Sequence, residues 1–139
     1  FFAARGHRVV AVDRDVTALL ARPDPRIDVV HADLEGGPWP FAGRTFAAVV
    51  VVNYLWRPLL PAIVAAVAPG GVLLYETFAV GNERFGRPRN PDFLLREGEL
   101  REAVRGALVE HEYWHGEVGT PPASVRQRLC AIRGTSPRP

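Results

Sequence analysis

The stretch GHRVVAVDRD, residues 6–15, decides how the fold of this chain is interpreted. Arg5-Gly6 is typical of a helix end, because glycine is favoured just after the last turn of a helix. The residues that follow, Arg8 to Val12, form a short Val-rich run that ends at Asp13. A helix end that leads into a buried strand is typical of the second half of a βαβ unit, which predicts a parallel sheet.

Three more segments repeat this apolar pattern: Ile27–His31, Phe46–Val52 and Val72–Phe78. Nearly continuous apolar runs are typical of strands that are buried on both faces of a parallel sheet. The segments between them, Asp15–Ala21 and Pro58–Ala68, are predicted to be crossover helices. The sequence therefore predicts an α/β, Rossmann-like fold of three layers with four parallel strands.

The second half of the chain has a different pattern. Ala79–Arg96 is a long loop rich in Gly, Arg, Asn and Pro, and such loops in compact domains often bind something. Glu97–Leu108 has the apolar spacing of an amphipathic helix. Val109–Val118 and Val125–Arg133 have no helix between them, which predicts a C-terminal antiparallel hairpin and hence a mixed sheet.

Length and composition are those of one globular domain, which we place at residues 1–134, with a frayed tail at residues 135–139. All 17 basic residues are Arg, they are scattered, and the net charge is only +2, so no nucleic-acid partner is expected. No apolar run approaches the roughly 20 residues of a membrane helix. The single Cys130 fits a reducing compartment, which predicts a cytoplasmic location. The oligomeric state is left open.

Polar side chains follow the predicted parallel strands, where ligands bind in an open parallel sheet. These residues are Asp13 and Arg14, Asp33 and Leu34, Asn53 and Tyr54, and Glu76. The carboxylate of Asp13 could accept hydrogen bonds from both hydroxyls of a ribose, or it could cap the next helix. Asp33 could accept from an amino group at the edge of an adenine, or it could be an ordinary turn residue.

Candidate substrate contacts come from the segment after the third strand and from the long loop. Trp56 could line a pocket or belong to the core. Arg84, Arg87 and Asn90 could bind a carboxylate, a phosphate or an oxyanion, or they could be solvated loop residues. Glu76 could act as a general base, orient a substrate, or pair with an arginine of the loop. No residue is assigned a catalytic role.

The segment His111–His115, HEYWH, matches the H-E-x-x-H pattern of zinc proteases. That pattern binds zinc only on a helix, whereas its neighbours here are typical of a strand. On a strand the two histidines would be about 13 Å apart, at roughly 3.3 Å per residue, which is too far to share one ion. No metal site is therefore predicted.

In the order of its segments VVAVD, VVHADL, FAAVVVVNYL and APGGVLLYETF, the chain resembles the class I S-adenosylmethionine-dependent methyltransferases. The loop followed by FLLREGELREAV is similar to the branch of tellurite-resistance-type enzymes, which implies a bacterial protein and a small-molecule substrate. The resemblance implies S-adenosylmethionine as cofactor, with Asp13 at its ribose and Asp33 and the backbone N–H of Leu34 at its adenine. It places Asn53 and Tyr54 beside the methyl donor.

The glycine-rich loop that follows the first strand in this family has no counterpart in the sequence. Phe1–Gly6 resembles the end of the helix after that loop, so the resemblance implies an N-terminally truncated domain. The missing strand would lie centrally, between the strands that end at Asp13 and Asn53. We therefore expect a gap in the sheet or direct pairing of these neighbours, and impaired activity.

Two other functions remain open. An NAD-dependent oxidoreductase would also use an acidic residue such as Asp13 to bind a ribose. A non-catalytic, methyltransferase-like module that only binds a partner is the third possibility.

Overall fold

The computed structural model describes residues 1–135 of the chain, which divides into two compact units, Phe1–Ala42 and Gly43–Pro139. Each unit is described by itself below. Of the predicted frayed tail, residues 136–139 lie outside the described residues. The assignment of residues 1–134 to a single domain stays a prediction.

The first unit is built around two parallel strands, β1 (Val9–Asp13) and β2 (Ile27–His31). A single helical turn, α1 (Thr17–Leu20), connects them. This helix is shorter than the predicted Asp15–Ala21. The side chain of Asp15 accepts a hydrogen bond from the backbone N–H of Thr17 at 3.0 Å, which places the start of the helix after Asp15.

The second unit contains a four-stranded mixed sheet in the order β3-β4-β6-β5. Its elements are β3 (Phe46–Val52), α2 (Leu60–Ala65), β4 (Val67–Phe78), α3 (Glu99–Val104), β5 (Val109–Val118) and β6 (Ser124–Ile132), with 3-10 turns at Arg57–Leu59, Asn82–Arg84 and Pro91–Phe93. β3 and β4 are parallel, whereas β6 pairs antiparallel with both β4 and β5. The mixed sheet and the C-terminal hairpin are therefore confirmed.

The prediction of one sheet with four parallel strands is wrong. The parallel strands form two pairs in two separate sheets, β1 with β2 and β3 with β4. Each pair is connected by its own crossover, whereas residues 32–45 between β2 and β3 contain no helix or strand. The outer edge of β4 is taken by the antiparallel strand β6, so the parallel pairing cannot extend beyond β4.

β4 is longer than the predicted Val72–Phe78, because it begins at Val67 and includes Pro69-Gly70-Gly71. Its pairing with β3 shifts register between Phe46 and Ala48, which leaves the extra residues of β4 in a bulge. A Cβ atom at Gly71 would lie 2.8 Å from the carbonyl oxygen of Ala68. Glycine is therefore required where the backbone of the bulge folds closely on itself.

The two faces of β4 differ in burial. Leu73, Tyr75 and Thr77 are at most 3% exposed, and the residues between them are partly exposed. The helices α2 and α3 contact β4 and β6, respectively. At the end of the sheet, β3 exposes 45% of Val50 and 59% of Val52. Among residues 1–135 no helix is long and apolar enough to span a membrane.

Candidate functional site

In the first unit, Asp13 and Asp33 lie at the same end of two adjacent strands. Asp13 is the last residue of β1 and is paired in register with His31 of β2. The backbone N–H of Ala32 donates to the carbonyl oxygen of Asp13 at 3.1 Å, so the parallel ladder continues to the residue before Asp33. The two carboxylates therefore emerge at one edge of this small sheet, as predicted from their strand-end positions.

Asp13 binds the backbone of the segment that leads into α1. One carboxylate oxygen, Oδ1, accepts a hydrogen bond from the backbone N–H of Asp15 at 3.0 Å. Among the described residues the second oxygen of Asp13 has no hydrogen-bond partner. Asp13 therefore stabilises the local turn with one oxygen, while its other oxygen has no partner within residues 1–135.

Asp33 organises the tight turn that follows β2. Hydrogen bonds from the backbone N–H groups of Glu35 and Gly36, at 3.0 and 3.2 Å, lower the pKa of Asp33, and the positive charge of Arg14 lowers it further. A Cβ atom at Gly37 would lie 2.7 Å from the carbonyl oxygen of Asp33, so the turn requires glycine there. Asp33 is thus an ionised acceptor with Arg14 nearby.

Leu34 follows Asp33 in the same turn and is half-buried. No acceptor within residues 1–135 pairs with its backbone N–H. This N–H is therefore available as a donor beside the Asp33 carboxylate.

In the second unit, Asn53 and Tyr54 form the turn after β3, and three contacts hold this turn. Asn53 has a positive φ of 54°, and its backbone N–H donates to the carbonyl oxygen of Glu76 at 2.9 Å. The hydroxyl of Tyr75 donates to the carbonyl oxygen of Tyr54 at 2.8 Å. Burial raises the pKa of Tyr75 well above its usual range, so this hydroxyl keeps its proton.

The third contact comes from Arg126 on β6. Its Nη1 donates to Oδ1 of Asn53 at 2.9 Å, and its Nη2 donates to the same oxygen. Its Nε lies 3.0 Å from Oε1 of Glu76, and its guanidinium carbon lies 4.2 Å from the centre of the Phe78 ring. The side chain of Arg126 is only 13% exposed. One half-enclosed guanidinium thus joins the end of β3 to β4.

Glu76 is paired with two arginines of β6. Besides Arg126, Arg128 donates through Nε to Oε2 of Glu76 at 2.8 Å, and its guanidinium lies 5.0 Å from the ring of Trp114. A salt bridge to an arginine was one of the predicted roles of Glu76. The salt bridge is present, but its arginine partners lie on β6 and not in the loop. Neither arginine was predicted from the sequence, because their proximity depends on the register of Glu76 opposite Arg128.

The long loop forms an open cleft of about 540 Å³ that contains two of its predicted residues. The lining residues are Arg87, Pro88, Arg89, Asn90 and Phe93. Within residues 1–135 the guanidinium groups of Arg87 and Arg89 have no hydrogen-bonding or ionic partner. Asn90 accepts a hydrogen bond from the backbone N–H of Asp92 at 3.0 Å and so caps the 3-10 turn there.

Arg84, the third loop residue predicted to contact substrate, is engaged elsewhere. Its Nε donates to the carbonyl oxygen of Gly81 at 3.1 Å, and its Nη2 donates to Oε1 of Glu117 at 3.0 Å. Arg84 therefore ties the loop to β5. Its position outside the lining of the cleft separates it from Arg87 and Asn90.

Trp56 is half-buried and directly precedes Arg57, which anchors the distal part of the loop. Arg57 donates to the carbonyl oxygens of Asp92 and Leu94 at 2.8 and 2.9 Å. It also binds the carboxylate of Glu99, which is 5% exposed. The chain after β3 thereby positions both the cleft-forming loop and the first turn of α3.

The histidines of the HEYWH segment lie within β5, so the prediction that this segment is a strand is confirmed. Across residues 1–135, no three His, Cys, Asp or Glu side chains are grouped as a metal site would require.

No protein-family model matches the chain, and no curated protein matches it. Solved structures do match. An S-adenosylmethionine-dependent methyltransferase from Mesorhizobium loti has a TM-score of 0.68 at 15% identity, over 96% of this chain and 86% of that one. The N-methyltransferase NodS from Bradyrhizobium japonicum WM9, in complex with S-adenosyl-L-homocysteine, has a TM-score of 0.64 at 15% identity, over 91% of this chain and 66% of NodS.

TehB from Haemophilus influenzae has a TM-score of 0.62 at 16% identity. The match covers 92% of this chain and 50% of TehB. The chain therefore has the fold of the class I S-adenosylmethionine-dependent methyltransferases, and the resemblance seen in its sequence is confirmed at the level of the fold.

Proposed function

We propose that the protein transfers a methyl group from S-adenosylmethionine to a small molecule. The observation that carries the proposal is the position of Asp13 and Asp33 at one end of adjacent parallel strands, in a chain with the methyltransferase fold. The NodS structure with S-adenosyl-L-homocysteine supports S-adenosylmethionine as the expected cofactor.

The residues of the first unit fit the nucleoside part of this cofactor. The second carboxylate oxygen of Asp13 can accept hydrogen bonds from the hydroxyls of a ribose. Asp33 is ionised and can accept from an amino group, while the N–H of Leu34, which has no acceptor within residues 1–135, can donate to a ring nitrogen. Arg14 helps to keep Asp33 ionised. This unit therefore offers acceptors and a donor in the combination that an adenosine requires.

When bound, S-adenosylmethionine supplies an electrophilic methyl group. Transfer to a nucleophile that is already ionised needs alignment and exclusion of water, and it needs no general base. Both carboxylate oxygens of Glu76 already accept hydrogen bonds or salt bridges from arginines. We assign Glu76 to the positioning of those arginines and leave proton abstraction without a named residue.

For the methyl acceptor, we propose an anionic small molecule that binds in the loop cleft. Arg87 and Arg89 supply two guanidinium groups that have no partner in the described part of the chain, and Phe93, 38% exposed, supplies an apolar wall. Guanidinium groups recognise carboxylates and phosphates through paired hydrogen bonds. Trp56 and Arg84 are proposed to support the loop that forms the cleft. Trp56 directly precedes Arg57, which binds the loop, and Arg84 ties the loop to β5.

Calorimetric titration of S-adenosyl-L-homocysteine, with NAD⁺ as a parallel ligand, tests the cofactor. We expect binding of the first ligand and none of the second, and a weaker affinity in Asp13→Asn and Asp33→Asn. Asp28→Asn is the matched control, because Asp28 is an exposed residue of β2 whose salt bridge to Arg8 is on the surface. Binding of NAD⁺ alone would identify an oxidoreductase-type domain instead, and binding of neither ligand would favour a module that binds only a partner.

A screen of carboxylates, phosphates and short RNA as methyl acceptors tests the cleft. We expect Arg87→Gln and Arg89→Gln to raise KM for an anionic acceptor, with little change in kcat. Arg105→Gln is the control, because Arg105 is an exposed arginine outside the lining of the cleft. Methylation of RNA alone would contradict the choice of a small molecule. A cytoplasmic location is part of the proposal and rests on the single Cys130.

A further inference from the structure

We infer that Arg126 is a positioning residue that turns the side-chain amide of Asn53 so that its NH₂ group faces a ligand. The contact is made by both terminal nitrogens of Arg126 on one oxygen, Oδ1 of Asn53. The identity of the ligand rests on the proposed function, whereas the orientation of the amide does not.

The chemistry of the guanidinium group determines this orientation. A guanidinium has five N–H donors and no acceptor, so the amide of Asn53 must present its oxygen to Arg126. Its NH₂ group then points away from Arg126. Among the described residues this NH₂ group has no acceptor, and the side chain of Asn53 is exposed. Asn53 is therefore a hydrogen-bond donor toward a ligand, with its acceptor already occupied.

Two contacts and the burial of most of its side chain keep Arg126 itself in place. Its Nε pairs with Oε1 of Glu76 at 3.0 Å, its guanidinium carbon lies 4.2 Å from the centre of the Phe78 ring, and only 13% of its side chain is exposed. Glu76 is in turn held by Arg128 through its other oxygen at 2.8 Å. The guanidinium thus keeps a fixed direction toward Asn53, because Glu76 neutralises its charge and the Phe78 ring packs against it.

The orientation restricts what can bind beside the end of β3. A donor-only amide pairs with a carboxylate, an ether or hydroxyl oxygen, or the lone pair of a methyl acceptor. It does not pair with an ammonium group, which also has only donors. S-adenosyl-L-homocysteine carries both a carboxylate and an ammonium group on its amino-acid part. The NH₂ group of Asn53 can therefore donate to the carboxylate of a ligand and not to an ammonium group.

The variant Asn53→Asp separates the two roles of Asn53. An aspartate still accepts from Arg126, so we expect the melting temperature to stay at the wild-type value or rise. It has no NH₂ group, so affinity for S-adenosyl-L-homocysteine should fall by about tenfold or more, as for loss of a charge-assisted hydrogen bond. Full affinity in a stably folded Asn53→Asp would overturn the assignment of Asn53 as a donor.

The variants Arg126→Gln and Arg128→Gln test the positioning. Both remove a partner of Glu76, but only Arg126 contacts Asn53. We expect Arg126→Gln to weaken ligand binding severalfold, and Arg128→Gln, which removes only a support of Glu76, to weaken it by a smaller factor. Equal losses in both variants would assign the effect to the charge of Glu76 and contradict a role for the contact with Asn53.

A measurement without ligand keeps the inference separate from the proposed function. In ¹⁵N-labelled protein, the side-chain NH₂ signals of Asn53 should move further in Arg126→Gln than in Arg128→Gln, because only Arg126 contacts Asn53. If the wild-type chain takes up no S-adenosyl-L-homocysteine, the proposed function fails, and these signals still decide the orientation. Unchanged Asn53 signals in Arg126→Gln would refute the inference whatever the ligand result.

Discussion

The guanidinium of Arg57 and the carboxylate of Glu99 form a two-point ion pair, with Nε 2.6 Å from Oε1 and Nη2 3.0 Å from Oε2. The carboxylate is almost fully buried, with a side chain that is 6% exposed. It also accepts from the backbone N–H of Arg96 at 2.8 Å. The contact therefore joins the segment after β3 to the start of α3, which are far apart in the sequence.

Loss of Arg57 should destabilise the protein strongly. In Arg57→Ala the buried carboxylate of Glu99 keeps only its contacts with Arg96, and breaking a buried pair costs about 3 kcal/mol or more. Urea unfolding measures the change in the free energy of unfolding. The control is Arg101→Ala, which breaks the exposed pair with Glu110 and should cost less than about 1 kcal/mol. If both variants lost equally little free energy of unfolding, the burial of Glu99 would not be what makes its ion pair important.

The same pair predicts a dependence of stability on pH. Burial raises the pKa of Glu99, but the hydrogen bonds from Arg57 and the backbone N–H of Arg96 outweigh it, so the pKa lies below its ordinary value of 4.5. The stabilisation is therefore fully present above the unfolded-state pKa and is lost as the pH falls through the lower pKa of the folded state. Unfolding free energies of the wild type and Glu99→Gln, measured between neutral and acid pH, should converge at the acid end. A constant difference across this range would disagree with the lowered pKa.

Tyr75 supports the turn at Asn53 and Tyr54 through one hydroxyl. In Tyr75→Phe the carbonyl oxygen of Tyr54 loses the hydrogen bond that spans 2.8 Å in the wild type, at a cost of about 1 kcal/mol. Thermal unfolding measures this loss. If ligand binding uses this turn, the variant should also bind S-adenosyl-L-homocysteine more weakly. A variant with wild-type stability would show that water replaces the tyrosine hydroxyl.

The positive φ of Asn53 predicts that alanine and glycine at this position differ in stability. At 54° this backbone is in the left-handed region, where alanine is disfavoured by about 1 kcal/mol relative to glycine. Asn53→Ala should therefore be less stable than Asn53→Gly, although both lose the contact with Arg126. Chemical denaturation of the two variants provides the comparison. Equal stabilities would mean that the turn has relaxed to a negative φ.

The boundaries of the strands could be predicted from the sequence more accurately than the way the strands pair into sheets. The bounds of β2, β3 and β5 agree with the predicted segments, because runs such as Phe46–Val52 carry a strong local preference for a strand. Strand pairing depends on contacts between distant residues, and four parallel strands were therefore a wrong prediction. The helices were predicted too long, since the apolar spacing of Glu97–Leu108 continues past Val104, where α3 ends.

Similar limits apply to the candidate site. Strand ends such as Asp13 and Asp33 could be found from the sequence, since the ends of parallel strands meet at one edge of a sheet. Arg126 could not, because its contact with Asn53 depends on the register of an antiparallel strand 73 positions away. Cross-strand register is determined by packing and turn geometry, neither of which is visible in a local pattern.

The valines on the outermost strand of the larger sheet also affect how the protein behaves in the test tube. Val50 and Val52 expose apolar side chains on β3, which is an edge strand of this sheet. An edge strand can pair with another polypeptide. Such edges nucleate fibrils and precipitates, and the tendency grows with protein concentration. Preparations for the titrations above should therefore be kept dilute, and a charged residue in place of Val52 would be the first change to make for crystallisation.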